Sequence, residues 1–160
     1  MKKIFVSILT LLGLSCGNPT EADNQSEKIG TGIFNTLVIT SQKFEKINNA
    51  FLINLIKDNV VTLQILHGGM LEQTRTAENV FNFSFNLTFD NEKANQDKFT
   101  TLDISKDFTY YEYEGIPCYA FNAGNDTKKV SEIALLILEK VYGYNQDEVF
   151  EFEIHDQGQM

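Results

Sequence analysis

The sequence predicts an α+β domain, with one antiparallel sheet of about five to seven strands and two helices packed on one face. Three observations predict it. Phe81, Phe83, Phe85, Leu87 and Phe89 alternate with Asn82, Ser84, Asn86 and Thr88, a period of two that gives a strand one buried and one wet face. Val130, Ile133, Ala134, Ile137 and Val141 recur at helical spacing. Strand-like segments also come in consecutive runs with helix-like segments toward either end, the order of an α+β chain rather than of repeated parallel units.

Taken in order, "FNTLVIT" (Phe34 to Thr40) is rich in β-branched residues and predicts a first strand. Ser41 to Lys57 places Phe44, Ile47, Phe51 and Leu55 at steps of three, four and four, which predicts the first helix. A strand follows over Asn59 to His67, with Gly68-Gly69 as a hairpin turn into a weaker strand near Met70 to Thr76. After the alternating strand Phe81 to Phe89, "DNEKANQDK" (Asp90 to Lys98) reads as a charged loop. Phe99 to Ser105, Phe108 to Glu114 and Ile116 to Asn122 then read as a meander, bent at Lys106-Asp107 and Glu114-Gly115. Pro117 lacks a ladder donor, so its strand is expected to begin there or lie at an edge. Asn125-Asp126-Thr127 offers caps to a second helix over Lys128 to Tyr142, Gly143 sits where a left-handed terminator belongs, and Val149 to His155 closes the chain as a strand.

The N-terminal end is organised differently. Met1-Lys2-Lys3 is basic, Ile4 to Leu14 is almost wholly apolar, and Ser15 is a small residue at which export signals are cut. The run is well short of the roughly 20 apolar residues needed to span a bilayer. Leu12-Gly13-Leu14-Ser15-Cys16 resembles the lipobox of bacterial lipoproteins, with Gly13 where that family most often has Leu. The resemblance implies a signal peptide over residues 1–15, diacylglyceryl attachment to the Cys16 sulfur, cleavage just before it, and a membrane anchor in the cell envelope. The residue after Cys16 is not Asp, which by resemblance to lipoprotein sorting in Gram-negative bacteria implies the outer membrane, facing the periplasm or the cell surface. Residues 16–32 then read as lipidated cysteine and flexible tether, polar and acidic with Pro19 and three glycines. Residues 33–156 read as a single domain. The segment "AFNAGNDTKKVSEIALLILEKVYG" with a closing strand also resembles small secretion-chaperone-like α+β domains.

Charge narrows the partners. The chain has 13 basic and 22 acidic residues, net -9. Loss of residues 1–15 removes Lys2 and Lys3 and leaves 11 basic residues against 22 acidic ones, net -11. Nucleic acid is therefore not an expected partner, because phosphate binding is driven by lysine and arginine; a cationic partner would be steered inward. With Cys16 lipidated, Cys118 is the one remaining thiol and no internal disulfide is expected.

Candidate chemistry is sparse, and no catalytic residue, cofactor or metal is expected. Glu112 and Glu114, like Glu151 and Glu153, are two apart on expected strands, so each pair should share a face at about 7 Å separation. Such carboxylates could serve a small hydrolase, but they are also ordinary solubilising chemistry that deters edge pairing. His67 and His155 could meet Cys118 or a glutamate at zinc, yet no closely spaced ligand pair exists. Cys118, with no basic neighbour in sequence, reads as a buried thiol. Asp90, Asn91, Glu92 and Asp97 supply oxygens without the EF-hand spacing. Tyr110, Tyr111, Tyr113 and Tyr119 form the densest aromatic stretch, and alternation sends Tyr111 and Tyr113 to the face opposite Tyr110. Tyr111 and Tyr113, with Glu112 and Glu114 beside them, are thus the expected binding surface for a protein, peptide or glycan. The expectation is a lipid-anchored, non-catalytic binding or accessory module. Its alternatives are a chaperone or inhibitor of a cationic partner and a hydrolase using the paired carboxylates.

Overall fold

A computed structural model describes residues 23–47, 49–78 and 80–160 of the chain. The expected signal segment, Cys16 and the start of the tether lie outside these residues. The strands are β1 (Asp23–Lys28), β2 (Asn49–Lys57), β3 (Val60–His67), β4 (Phe83–Thr88), β5 (Thr109–Tyr113), β6 (Ile116–Gly124) and β7 (Val149–Gln159). The α-helices are α1 (Ile29–Phe44), α2 (Lys93–Thr101) and α3 (Thr127–Ile137). The strands form one sheet in the order β1-β7-β2-β3-β4-β6-β5, and every described neighbour pair is antiparallel. The fold is α+β.

The alternating strand sets the core. Phe83, Phe85 and Leu87 of β4 join Phe51, Ile53 and Leu55 of β2, Leu63 and Ile65 of β3, and Phe150, Phe152 and Ile154 of β7 in one buried cluster. Ile29, Ile33, Leu37 and Phe44 of α1 and Val130, Ile133, Ala134 and Ile137 of α3 cover that side. Asp126 caps α3 by accepting from the backbone N–H groups of Lys128 and Lys129. The helix ends in a π-turn, Leu138–Tyr142, where the Leu138 carbonyl accepts from both Gly143 and Tyr144 N–H. Gly143 adopts φ 80°, the left-handed terminator its position foretells.

Besides the connection between β3 and β4, three segments depart from expectation, each because a distant partner outweighs local sequence. The tether expected over 16–32 does not run to 32: Asp23–Lys28 pairs residue for residue with Lys28↔Val149 through Asp23↔Ile154 on β7. No apolar residue in "DNQSEK" announces this strand, whose ladder partner lies at the other end of the chain. Phe34–Thr40 is helical rather than extended, and Ser41 to Lys57 is not one helix but the end of α1 followed by β2. The i, i+4 stripe Ile29, Ile33, Leu37 with Thr36, Thr40 and Phe44 buries a whole helix face, and this outweighs the weak strand preference of β-branched residues. The α1 start has no side-chain cap; its first amides, Ile29 and Gly30 N–H, donate to the Glu148 and Gln146 carbonyls instead.

The third departure is between β4 and β5. Asp90 to Lys98 is not all loop, and Phe99 to Ser105 is not a strand; α2 and a 3-10 turn at Asp103–Asp107 occupy this stretch. The α2 face is polar except for Phe99, the one buried residue of the helix, whose ring meets Phe89, Phe108 and Tyr119. A single anchor leaves no period to read. The bend expected at Glu114-Gly115 joins β5 to β6, and Asp58-Asn59, whose Asn59 is the expected start of a strand, instead joins β2 to β3; both residues of each turn are left-handed as a two-residue hairpin requires. Pro117 sits second in β6, just before the β4 ladder begins at Thr88↔Cys118.

The close seating of α1 on β7 depends on Gly32. A Cβ there would lie 2.6 Å from the ring of Phe152, itself fully buried. Gly32→Ala should therefore lower stability by about 1–3 kcal/mol through overpacking, more than the gain of at most about 1 kcal/mol in helix propensity. Denaturant unfolding reads the difference; an unchanged or raised midpoint would contradict this packing.

Candidate functional site

Among the described residues the second face of the sheet carries no α-helix, and it is where polar chemistry collects. Register places Glu151, Glu153 and His155 of β7, Leu52 and Asn54 of β2, Gln64 and Leu66 of β3, Ser84 and Asn86 of β4, Cys118, Ala120 and Asn122 of β6, and Tyr111 and Tyr113 of β5 on it. A row of hydrogen-bonding groups crosses this face at right angles to the strands. The Glu153 carboxylate and His155 Nε2 are 3.1 Å apart, and Asn54 Nδ2 approaches both. Gln64 Nε2 donates to Asn54 Oδ1 at 3.0 Å. Beyond Gln64 lies Asn86, whose Oδ1 accepts from the Tyr111 hydroxyl at 2.8 Å. Tyr111, opposite Cys118 in register, packs against the Leu52, Leu66, Leu71 and Ala120 cluster and reaches over β6 to Asn86, whose own β6 partner is Ala120. From β7 to β5 the row spans six strands, about 24 Å at ordinary strand spacing.

Each group has a distinct environment. Glu153 and His155 are partly exposed, and with the proton on Nε2 the imidazole donates to Glu153 while Asn54 Nδ2 turns to the same carboxylate. Burial pushes the Tyr111 hydroxyl above its ordinary range, so it stays a donor to Asn86. Burial likewise pushes the Cys118 thiol up, partly offset by its hydrogen bond with Tyr111, and a thiol so placed is a poor nucleophile.

The expected site residues do not all converge. Tyr111 and Tyr113 share the helix-free face as alternation requires, both half-buried, whereas the more exposed ring is Tyr110 on the helix side, against Tyr119. Glu112 is exposed on that helix side, and Glu114 lies beyond the last ladder pair at φ 50° in the turn. The two glutamates therefore do not form a carboxylate pair on one strand face. Glu151 and Glu153 do share the open face. His67 and His155 fall on opposite faces: His67 meets Phe51 and Phe81 in the core, and His155 pairs with Leu52 on the other side. Among the described residues no group of three or more histidines, cysteines and carboxylates is arranged to hold a metal ion.

Sequence reasoning missed how covered part of this face is. Asn82, Ser84 and Asn86, expected to be wet, are buried. The cause is the segment after β3, which is not a hairpin with a further strand. It is a 3-10 turn, Gly68–Met70, and a strap through Glu78 that lays Leu71 on Leu52, Leu66 and Ala120, with Met70 and Tyr111 at the margin. Asn122 Nδ2 ties the strap down by donating to the Thr74 carbonyl at 2.9 Å. Covering a polar strand face leaves Asn82 Oδ1, Ser84 Oγ and Asn86 Nδ2 buried with no partner among the described residues. Each such atom costs about 1–3 kcal/mol. The signal for this cover was Gly68-Gly69, read as a turn; a Cβ on Gly68 would lie 1.8 Å from Asn82 Oδ1, so the glycine serves close approach rather than chain reversal.

Tyr111→Phe should cost about 1–3 kcal/mol, since it leaves a second buried polar atom of Asn86 unpaired. Adding Asn86→Val should restore most of that loss, because both polar groups are then gone. Denaturant unfolding of the two variants decides it, and a further loss in the double variant would contradict the assignment. No family model matches the chain, and comparisons with curated proteins and with solved structures return no match.

Proposed function

We propose that the protein is a lipid-anchored lipoprotein of the bacterial cell envelope whose domain is a non-catalytic binding module, with the helix-free face of the sheet as its contact surface. The transverse row Glu153, His155, Asn54, Gln64, Asn86 and Tyr111 carries the reading. A half-open row of donors and acceptors next to tyrosine rings offers directional contacts to a protein, peptide or glycan, and it brings together no nucleophile with an activating base. The lipobox-like Leu12 to Cys16 supports the anchor, which would hold the module at the outer membrane through acyl chains at about 0.8 kcal/mol per buried methylene.

A second reading is favoured by one observation. Glu151 and Glu153 lie together on the open face of an acidic chain, a surface that would draw in a basic chaperone client or inhibited partner. Salt-sensitive association would mark that case.

Cys16→Ser should move the protein from the membrane fraction to the soluble one when cells are fractionated; unchanged membrane retention would remove the anchor. A partner captured from the envelope by the wild-type protein should be recovered at least about tenfold less with Gln64→Ala/Tyr113→Ala, the loss expected for about 1.4 kcal/mol of contact energy. Phe34→Ala, on the exposed side of α1, should leave recovery intact. Equal loss from both would place the contact elsewhere.

A further inference from the structure

We propose that Gly68–Glu78 is an acid-released strap over the open sheet face, latched by the neutral imidazole of His67. The inference stands apart from what the face binds and from how the chain is anchored. It begins with the position of the ring. His67 is the last residue of β3, fully buried, with its ring edge-on to Phe51 and Phe81 at centroid distances of 5.6 and 6.0 Å. Its Nδ1 accepts from the Gly69 N–H at 3.1 Å, which fixes the ring proton on Nε2, and Nε2 has no partner among the described residues.

That one acceptor holds the first turn of the strap. Around it, Gly68 N–H donates to the Asn82 carbonyl, the Thr74 hydroxyl to the Gly68 carbonyl, and Arg75 Nε to the Gly69 carbonyl. Each bond joins the root of the strap to its middle or to its return, so the segment closes as a unit on the Leu52, Leu66 and Ala120 patch. The unpartnered atoms His67 Nε2, Asn82 Oδ1 and Ser84 Oγ also lie around this root. A region with several unmet polar groups is drawn from the low-stability end of a fold and opens before the rest.

Protonation acts on this root directly. A proton on Nδ1 replaces the acceptor by a donor that faces the Gly69 N–H, and it buries a charge beside phenylalanines. Among the described residues the groups around the ring offer it no counter-ion. Its ring contacts, Phe51 from β2 and Phe81 before β4, are apolar, as are Phe44 of α1 and Phe83 of β4 packed on those rings. Lys43 beside Phe44 is bonded to Asp23, and Asp156, opposite Phe51 on β7, accepts from Asn49 and Gly158. Glu72, Arg75 and Glu78 of the strap are exposed.

Burial lowers the His67 pKa below its ordinary 6.5, so the open state takes up the proton first. Closure is then complete above 6.5, weakens as pH falls below it, and levels off once the lowered folded value is passed. Release would uncover Leu52, Leu66 and Ala120 beside the polar row.

Amide hydrogen exchange on the full chain, corrected for intrinsic rates, tests this between about pH 7.5 and about pH 5, above the range where ordinary carboxylates titrate. Protection of Gly69 to Arg75 should fall as pH drops, by up to about tenfold per pH unit, while protection in β2 and β4 is retained. His67→Gln, which keeps an acceptor without a titration, should flatten the response, and His155→Gln should keep it. A flat wild-type profile, or an equal slope in His67→Gln, would overturn the latch. If His67→Gln does not fold, loss of the slope in His155→Gln overturns it and its persistence supports it.

Discussion

The burial of one phenylalanine-lined face of a single sheet is the constraint from which the rest follows. β4 alone contributes Phe83, Phe85 and Leu87 to it, and the neighbouring strands match that row in register. With α1 and α3 on that side, the other face must be finished with what the alternate positions supply: asparagine, glutamine, serine, glutamate and tyrosine. The polar row, its partial cover and the unmet hydrogen bonds are consequences of a sheet in which one face received all three described α-helices. They are the places where local satisfaction gives way, and such places are where function is expected.

The strap resolves a conflict between two requirements. Leu52, Leu66 and Ala120 are apolar residues on the polar side and need cover. Asn82, Ser84 and Asn86 sit beside them and need water or partners. Laying Leu71 over the first group necessarily dries the second. The outcome is a region held by few bonds, among them the Gly69 N–H to His67 contact, on a domain otherwise held by ladders and aromatic packing. Charge contributes little to that holding: the Lys28–Asp147 and Lys106–Asp103 pairs are surface pairs of the kind worth at most about 1 kcal/mol.

Legibility in the sequence followed the range of the interactions involved. Fold class, the strands β3 to β7, the Asp126 cap and the Gly143 terminator all rest on residues close in sequence, and all could be read. β1 could not, because "DNQSEK" becomes a strand only through a β7 partner more than a hundred residues away. In α1 the period of four was present, but the β-branched run Val38-Ile39-Thr40 obscured it. For the site, alternation correctly sent Tyr111 and Tyr113 to one face of their strand and Glu151 and Glu153 to one face of theirs. It could not show that Glu114 leaves the strand at a left-handed turn, nor that Asn54, Gln64 and Asn86 line up across strands, since register is a property of pairs.

The account turns on the helix-free face being the open side of the sheet. A soluble paramagnetic probe tests this most directly, by comparing how strongly side-chain resonances broaden on either face. Gln64, Tyr113, Glu153 and His155 should broaden, while Ile53, Leu63, Phe85 and Ile154 on the helix side should not. Equal protection of both sets would show that something else covers the polar face and would contradict the account.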